Sequence, residues 1–141
     1  MVYTPLRHLA DVDDVVRAVL QAGGVTVGAN IPADLATRIG PADSHYVSAR
    51  RFGGAAVHAR LLDRAAVSVD AWANTRRGAA DVAETCRVLL FTAWRAQTVH
   101  AGASISSYSE TSAPAELRTG GQPPDEWRFN AAYSLHVRPR I

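Results

Sequence analysis

The side chains best able to do chemistry are His8, His45, His58, His100, His136 and Cys86. A metal centre needs such ligands clustered at short spacing. These histidines are scattered, no pair stands at helical metal spacing, and there is no Cys-x-x-Cys. His100 and His136 could neighbour each other across adjacent strands, where a solvent-facing pair reads as surface. A lone cysteine cannot close an intramolecular disulfide, and Cys86 reads as a small buried apolar residue. A serine hydrolase needs its serine on a tight turn such as Gly-x-Ser-x-Gly. That motif is absent, and Ser104, Ser106 and Ser107 read as the polar face of a strand. Asp13 and Asp14 stand at a helix start, where acids meet the positive end of the peptide dipoles. Asp63 and Asp70 flank a strand, and nothing presses two carboxylates into one apolar pocket.

Phosphate chemistry is equally poorly served. Gly23-Gly24 follows a helix and Gly53-Gly54 precedes none, so neither reads as a phosphate loop. All 15 Lys+Arg residues are arginine. That removes a Schiff-base lysine and a phosphate-loop lysine, while arginine suits protein interfaces. A net charge of +2, spread along the chain, makes no case for nucleic acid. Arg50 and Arg51 are adjacent on a strand candidate and must point to opposite faces. A salt bridge or a subunit contact is their expected role. No catalytic residue, cofactor or metal is assigned, and the chain is expected not to be an enzyme.

The elements that would position these residues follow from periodicity. The length fits one domain over residues 1–141 with a core of its own. No apolar run approaches a membrane span, and the N-terminal residues show no signal-peptide pattern. Residues 11–20 read as a helix capped by Asp11, with Val12, Val15, Val16, Val19 and Leu20 on its apolar face. A short strand at 25–27 follows. Residues 30–43 read as a loop with room for one helical turn at 34–39. Strands are expected at 46–52, stopped by Gly53-Gly54, and at 65–72, with 53–63 either a hairpin or a loop.

The strongest helix starts at Asn74 or Thr75 and runs to about residue 95, with Ala79, Val82, Ala83, Cys86, Leu89, Leu90 and Ala93 on one stripe. Residues 99–106 alternate as a strand. Residues 109–124, with Pro114, Gly120-Gly121 and Pro123-Pro124, read as a long loop. Such a loop in a compact domain is usually functional or flexible. In residues 127–137, Trp127, Phe129, Ala131, Tyr133, Leu135 and Val137 alternate with polar residues, the mark of a half-buried antiparallel strand. The same alternation makes the aromatics core residues rather than base-stacking platforms. The fold class is α+β: a mostly antiparallel sheet with a long helix and a short N-terminal helix packed on one face.

One feature exceeds what a surface helix needs. Val88 and Phe91 lie off the main stripe and Trp94 at its margin, a second apolar face that suggests either contact with another chain or cover by a second layer such as a capping loop.

Four stretches, taken in order, resemble the tail terminator proteins of long-tailed, siphovirus-type bacteriophages, especially those of actinobacterial hosts. They are the strand 46–54 ending in Gly53-Gly54, the strand 67–73 leading into the long helix, the helix onset 75–83, and Glu110 to Pro114 followed by a turn and the strand 128–138. The resemblance departs at 115–121, where the family often has an acidic-proline turn. It implies a structural virion protein without catalytic residues, forming a homo-oligomeric ring, usually hexameric. Such a ring sits at the head-proximal end of the tail, the neck, and is assembled in the host cytoplasm. Its implied partners are the major tail tube protein and the head-tail connector or stopper protein, with DNA only passing through the lumen and no membrane involved. From position alone, the expected contact residues are Arg50, Arg51, Val88, Phe91, Trp94 and Pro114. The alternatives are another neck, connector or tail-tube protein and, with less support, a small ligand-binding α+β domain.

Overall fold

The computed structural model describes residues 8–118 and 123–140. Helix α1 (Val12–Ala22) begins where the Asp11 side chain accepts from the N–H groups of Asp13 and Asp14 at 3.0 and 3.4 Å. It is followed by β1 (Val27–Gly28), α2 (Leu35–Ile39), β2 (His45–His58), β3 (Leu62–Ala73), α3 (Arg76–Ala96), β4 (Val99–His100), β5 (Ala103–Glu116) and β6 (Trp127–Pro139). The strands form one sheet in the order β1-β2-β3-β6-β5-β4. The β1–β2 pair is parallel and the other four pairs are antiparallel. The expected α+β class, with a mostly antiparallel sheet, is what the chain adopts.

The core lies between one sheet face and the helices α1 and α3. Alternation sends Ala65, Val67, Val69 and Ala71 of β3 and Phe129, Ala131, Tyr133, Leu135 and Val137 of β6 to that face. They meet Val15, Val16, Val19 and Leu20 of α1 and Ala79, Ala83, Cys86, Leu90 and Ala93 of α3. The small residues of α3 let the helix lie close to the sheet. Thr75 caps it, its Oγ1 accepting from Gly78 N–H at 3.0 Å, and Gln97 ends it at φ 52°. Burial pushes the Cys86 thiol up to about 12, as befits an inert core cysteine.

Three expectations about the strands are corrected. Gly53-Gly54 does not stop β2, which runs on to His58 opposite β3. Gly54 stands at φ 99° beside a register shift, and a Cβ there would lie 2.1 Å from the Arg64 carbonyl oxygen. Glycine here makes a bulge instead of an end. Residues 53–63 are therefore a hairpin. The stretch 99–106 is two strands, because Ala101 and Gly102 both take positive φ (49° and 77°), as a two-residue type I′ turn demands. The segment 109–124 is strand as far as Glu116. Pro114 is tolerated there because it sits at the register shift between Ser112 and Ala115, on an outer edge that β4 covers only at Ala103 and Ser104. Gly120 and Gly121 lie outside the described residues.

The second sheet face is not uniformly solvated. The helical turn expected at 34–39 is α2, and its Leu35 and Ile39 cover Tyr46 and Trp72 in a separate cluster. Beyond that cluster the face is polar. Arg128 and Asn130 both donate to Asp70 Oδ1, at 3.0 and 2.8 Å.

Two groups, the half-buried His45 and the buried Tyr133, yield predictions. His45 Nε2 accepts from Thr26 N–H at 3.0 Å, a role open only to the neutral ring. Burial lowers its pKa below the ordinary 6.5. The folded state therefore binds this proton less readily than the unfolded chain. Its contribution is complete above pH 6.5 and is lost as pH falls through the lowered folded value. Urea midpoints measured against pH should fall over that window, and His45→Ala should flatten the slope. Among the described residues, Tyr133 Oη is the one buried side-chain polar atom without a hydrogen-bond partner. An unsatisfied buried hydroxyl costs about 1–3 kcal/mol. Tyr133→Phe should raise the urea midpoint by the equivalent of about 1 kcal/mol with an unchanged slope.

Candidate assembly interface

The outer face of α3 and the free edge of β5 bound an open groove of about 520 Å³. Its floor is aromatic. Phe91 meets Trp94 and Tyr108 edge-on at 5.5 and 5.8 Å, and Trp94 stacks on Tyr108 at 6.0 Å. Tyr108 continues inward to Tyr133 at 5.6 Å, so the groove is anchored in the core. Yet Val88 and Phe91 remain 51% and 46% exposed. These apolar side chains are held in position and still open to water.

One wall is ionic. Arg87 grips Glu110 with Nε on Oε1 and Nη2 on Oε2, the latter at 2.8 Å, and reaches Glu84 at 3.3 Å. Those hydrogen bonds raise the Arg87 guanidinium above its ordinary value. Tyr108 Oη donates to Glu110 Oε1 at 3.3 Å. Burial, then the charge of Glu110 and that hydrogen bond, push its phenol up to about 12. The tyrosine is thus a fixed donor at neutral pH. This arrangement orients an apolar floor, but it supplies no nucleophile paired to a base and no open ligand set. Among the described residues, no group of three His, Cys, Asp or Glu side chains is placed to hold a metal. No helix there is long and apolar enough to cross a membrane.

Of the six residues expected to make contacts, the fold gathers three. Val88, Phe91 and Trp94 line the groove together. Pro114 is on the same edge strand, half-buried and four residues beyond Glu110. Arg50 and Arg51 are on β2, on the far side of β3 and β6. Arg50 is exposed. Arg51 turns inward to Asp63, at 2.5 and 2.9 Å, and its backbone N–H donates to Asp13 Oδ1 at 2.5 Å. His100 and His136 are kept apart by β5, since His100 pairs with Ala103 and His136 with Ser107.

Sequence reasoning did not bring Arg87, Tyr108 and Glu110 together, because the expected strand ended at residue 106 and residues 109 onward read as loop. The signal was present: Ile105, Tyr108 and Glu110 all face the helix side of β6, but a register shift at Ser106 breaks the simple alternation. Phe52 and Val57 were missed as well. They are 62% and 58% exposed, and each stands at a register shift in β2.

A family model for phage tail termination proteins matches residues 8–140, nearly the whole chain. The chain belongs to that family. No curated protein matches it. Membership makes this a structural protein of the bacteriophage tail, a virion component that works by contact with other tail or head proteins. The open apolar groove agrees with such a role. The matched span includes both α3 and β5, so the groove belongs to the family domain rather than to an appendage.

Proposed function

We propose that this chain acts as one domain and closes head-to-tail into a ring, hexameric in the working form, at the head-proximal end of the tail. One face of the ring copies the next tube ring and caps the exposed end of the tail-tube subunits. The other face meets the head connector or stopper. DNA only passes through the lumen, and no catalysis is involved. The observation that carries this reading is the exposed apolar face of Val88 and Phe91 on a rigid aromatic floor. A head-to-tail contact closes into a ring when the rotation per subunit divides a full turn.

The test is to add the purified chain to polymerising tail-tube protein and measure tube length by electron microscopy. Capping predicts shorter tubes with a ring at one end. Tubes of unchanged length, with no added density at either end, would overturn the proposal.

A further inference from the structure

We infer that the β2–β3 hairpin of one copy docks in the α3–β5 groove of the next. The inference rests on the ring reading above and names the two surfaces that close it. The hairpin carries apolar side chains that its own fold does not cover: Phe52, Val57 and Leu61 are 62%, 58% and 52% exposed. It also carries charge. Between residues 50 and 64 the arginines are Arg50, Arg51, Arg60 and Arg64, and the one acid is Asp63, which Arg51 neutralises. Arg50, Arg60 and Arg64 make no ion pair with the described residues.

The groove has the opposite sign. Among the residues that line it, Glu84 and Glu110 share the single Arg87, so its ionic wall is net negative; Arg95 stands at the other end, 5.7 Å over the Trp94 ring. An apolar, cationic projection therefore matches an apolar, anionic groove. Complementary charge of this kind sets partner and register more than affinity.

Topology makes the contact intermolecular. The hairpin is on the β2 side of the sheet and the groove on the β5 side, three strand spacings or about 14 Å apart. A copy cannot fill its own groove, but each copy offers one of each surface to two neighbours, as a closed ring requires. The bulges of β2 between Arg51 and Gly53 and between Ala56 and His58 break the edge. They disfavour open-ended strand addition and leave side-chain docking as the mode of contact.

The experiment uses complementary full-length variants. Phe52→Asp with Val57→Asp spoils the hairpin and keeps the groove. Phe91→Asp spoils the groove and keeps the hairpin. Each variant alone should be monomeric by light scattering and still melt cooperatively, at a lower temperature for Phe91→Asp, which gives up its edge-on contacts with Trp94 and Tyr108. An equimolar mixture should give dimers and nothing larger, because only one of the two contacts can form. A hairpin variant that still forms rings, or a mixture that stays monomeric under conditions where the parent forms rings, overturns the inference.

If the parent chain is monomeric in solution, the decision moves to isolated capped tails carrying Phe52→Cys with Val88→Cys. Oxidation should then yield a ladder of chain multiples, and neither single variant should. Absence of the ladder overturns the docking. Buried Cys86 does not compete. Capped tails without the cross-link refute the docking alone. Hairpin-dependent rings that leave tube length unchanged refute the capping alone.

Discussion

Arg51→Ala is expected to cost about 2–3 kcal/mol of folding stability, and Arg50→Ala less than about 0.5 kcal/mol, although the two residues are neighbours. Asp63 is 5% exposed. Its carboxylate accepts from two guanidinium nitrogens of Arg51, at 2.5 and 2.9 Å. The same guanidinium donates to the carbonyl oxygens of Gly53 and Arg64, at 2.8 and 3.2 Å. Truncating Arg51 leaves a buried carboxylate without its counter-charge, which accounts for most of the loss. The figure sits below that for a fully buried pair because the Arg51 side chain is 30% exposed.

Arg50 makes no such contact, and its removal takes only a surface charge. Chemical denaturation of the two variants checks the contrast. Hydrogen exchange should also place the loosening in the hairpin, since Arg51 bridges its two strands beside the bulge at Phe52. If both variants prove equally stable, the Arg51–Asp63 pair is not holding the hairpin.

Leu90→Ala should cost about 3 kcal/mol, while Val88→Asp should leave folding nearly unchanged and abolish assembly. Both residues are on α3, half a turn apart. Leu90 is fully buried between helix and sheet, and Val88 is 51% exposed on the rim of the groove. Removing Leu90 loses apolar burial and leaves a cavity that the close-packed core cannot fully refill. A carboxylate at position 88 meets water in the free chain. In an assembled ring it would be a charge buried in an apolar contact beside Glu84 and Glu110. Thermal melts of the monomers and sizing by light scattering separate the two outcomes. A Val88→Asp chain that still assembles would remove this rim from the interface.

Much of the framework was legible because its elements are long and strongly periodic. Five inward positions of β6, from Phe129 to Val137, are buried as alternation requires. The stripe on α3 leaves Val88 and Phe91 outside the core, as the fold does. What periodicity could not follow were the bulges. A register shift changes which residues face inward, and Gly53-Gly54 and Pro114 carry the same local signature whether they end a strand or bend one. For that reason β2 and β5 are both longer than expected, and the residues added to them line the hairpin and the groove. Trp72 shows the same limit. Alternation puts it on the face opposite Val69, but its burial depends on α2 returning over that face from about 35 residues earlier in the chain.

Local pattern alone carries the two-faced character of α3 and the apolar face of the last strand. Each follows from residue type at short, regular spacing. The packed fold is what turns Arg51 inward and leaves Arg50 out, and what joins Tyr108 and Glu110 to Phe91 and Trp94 in one groove. It also decided that an apolar, basic hairpin stands on the opposite side of the sheet from that groove. Those facts depend on strand order and on register across bulges, where contacts form between residues tens of positions apart, and no local pattern encodes them.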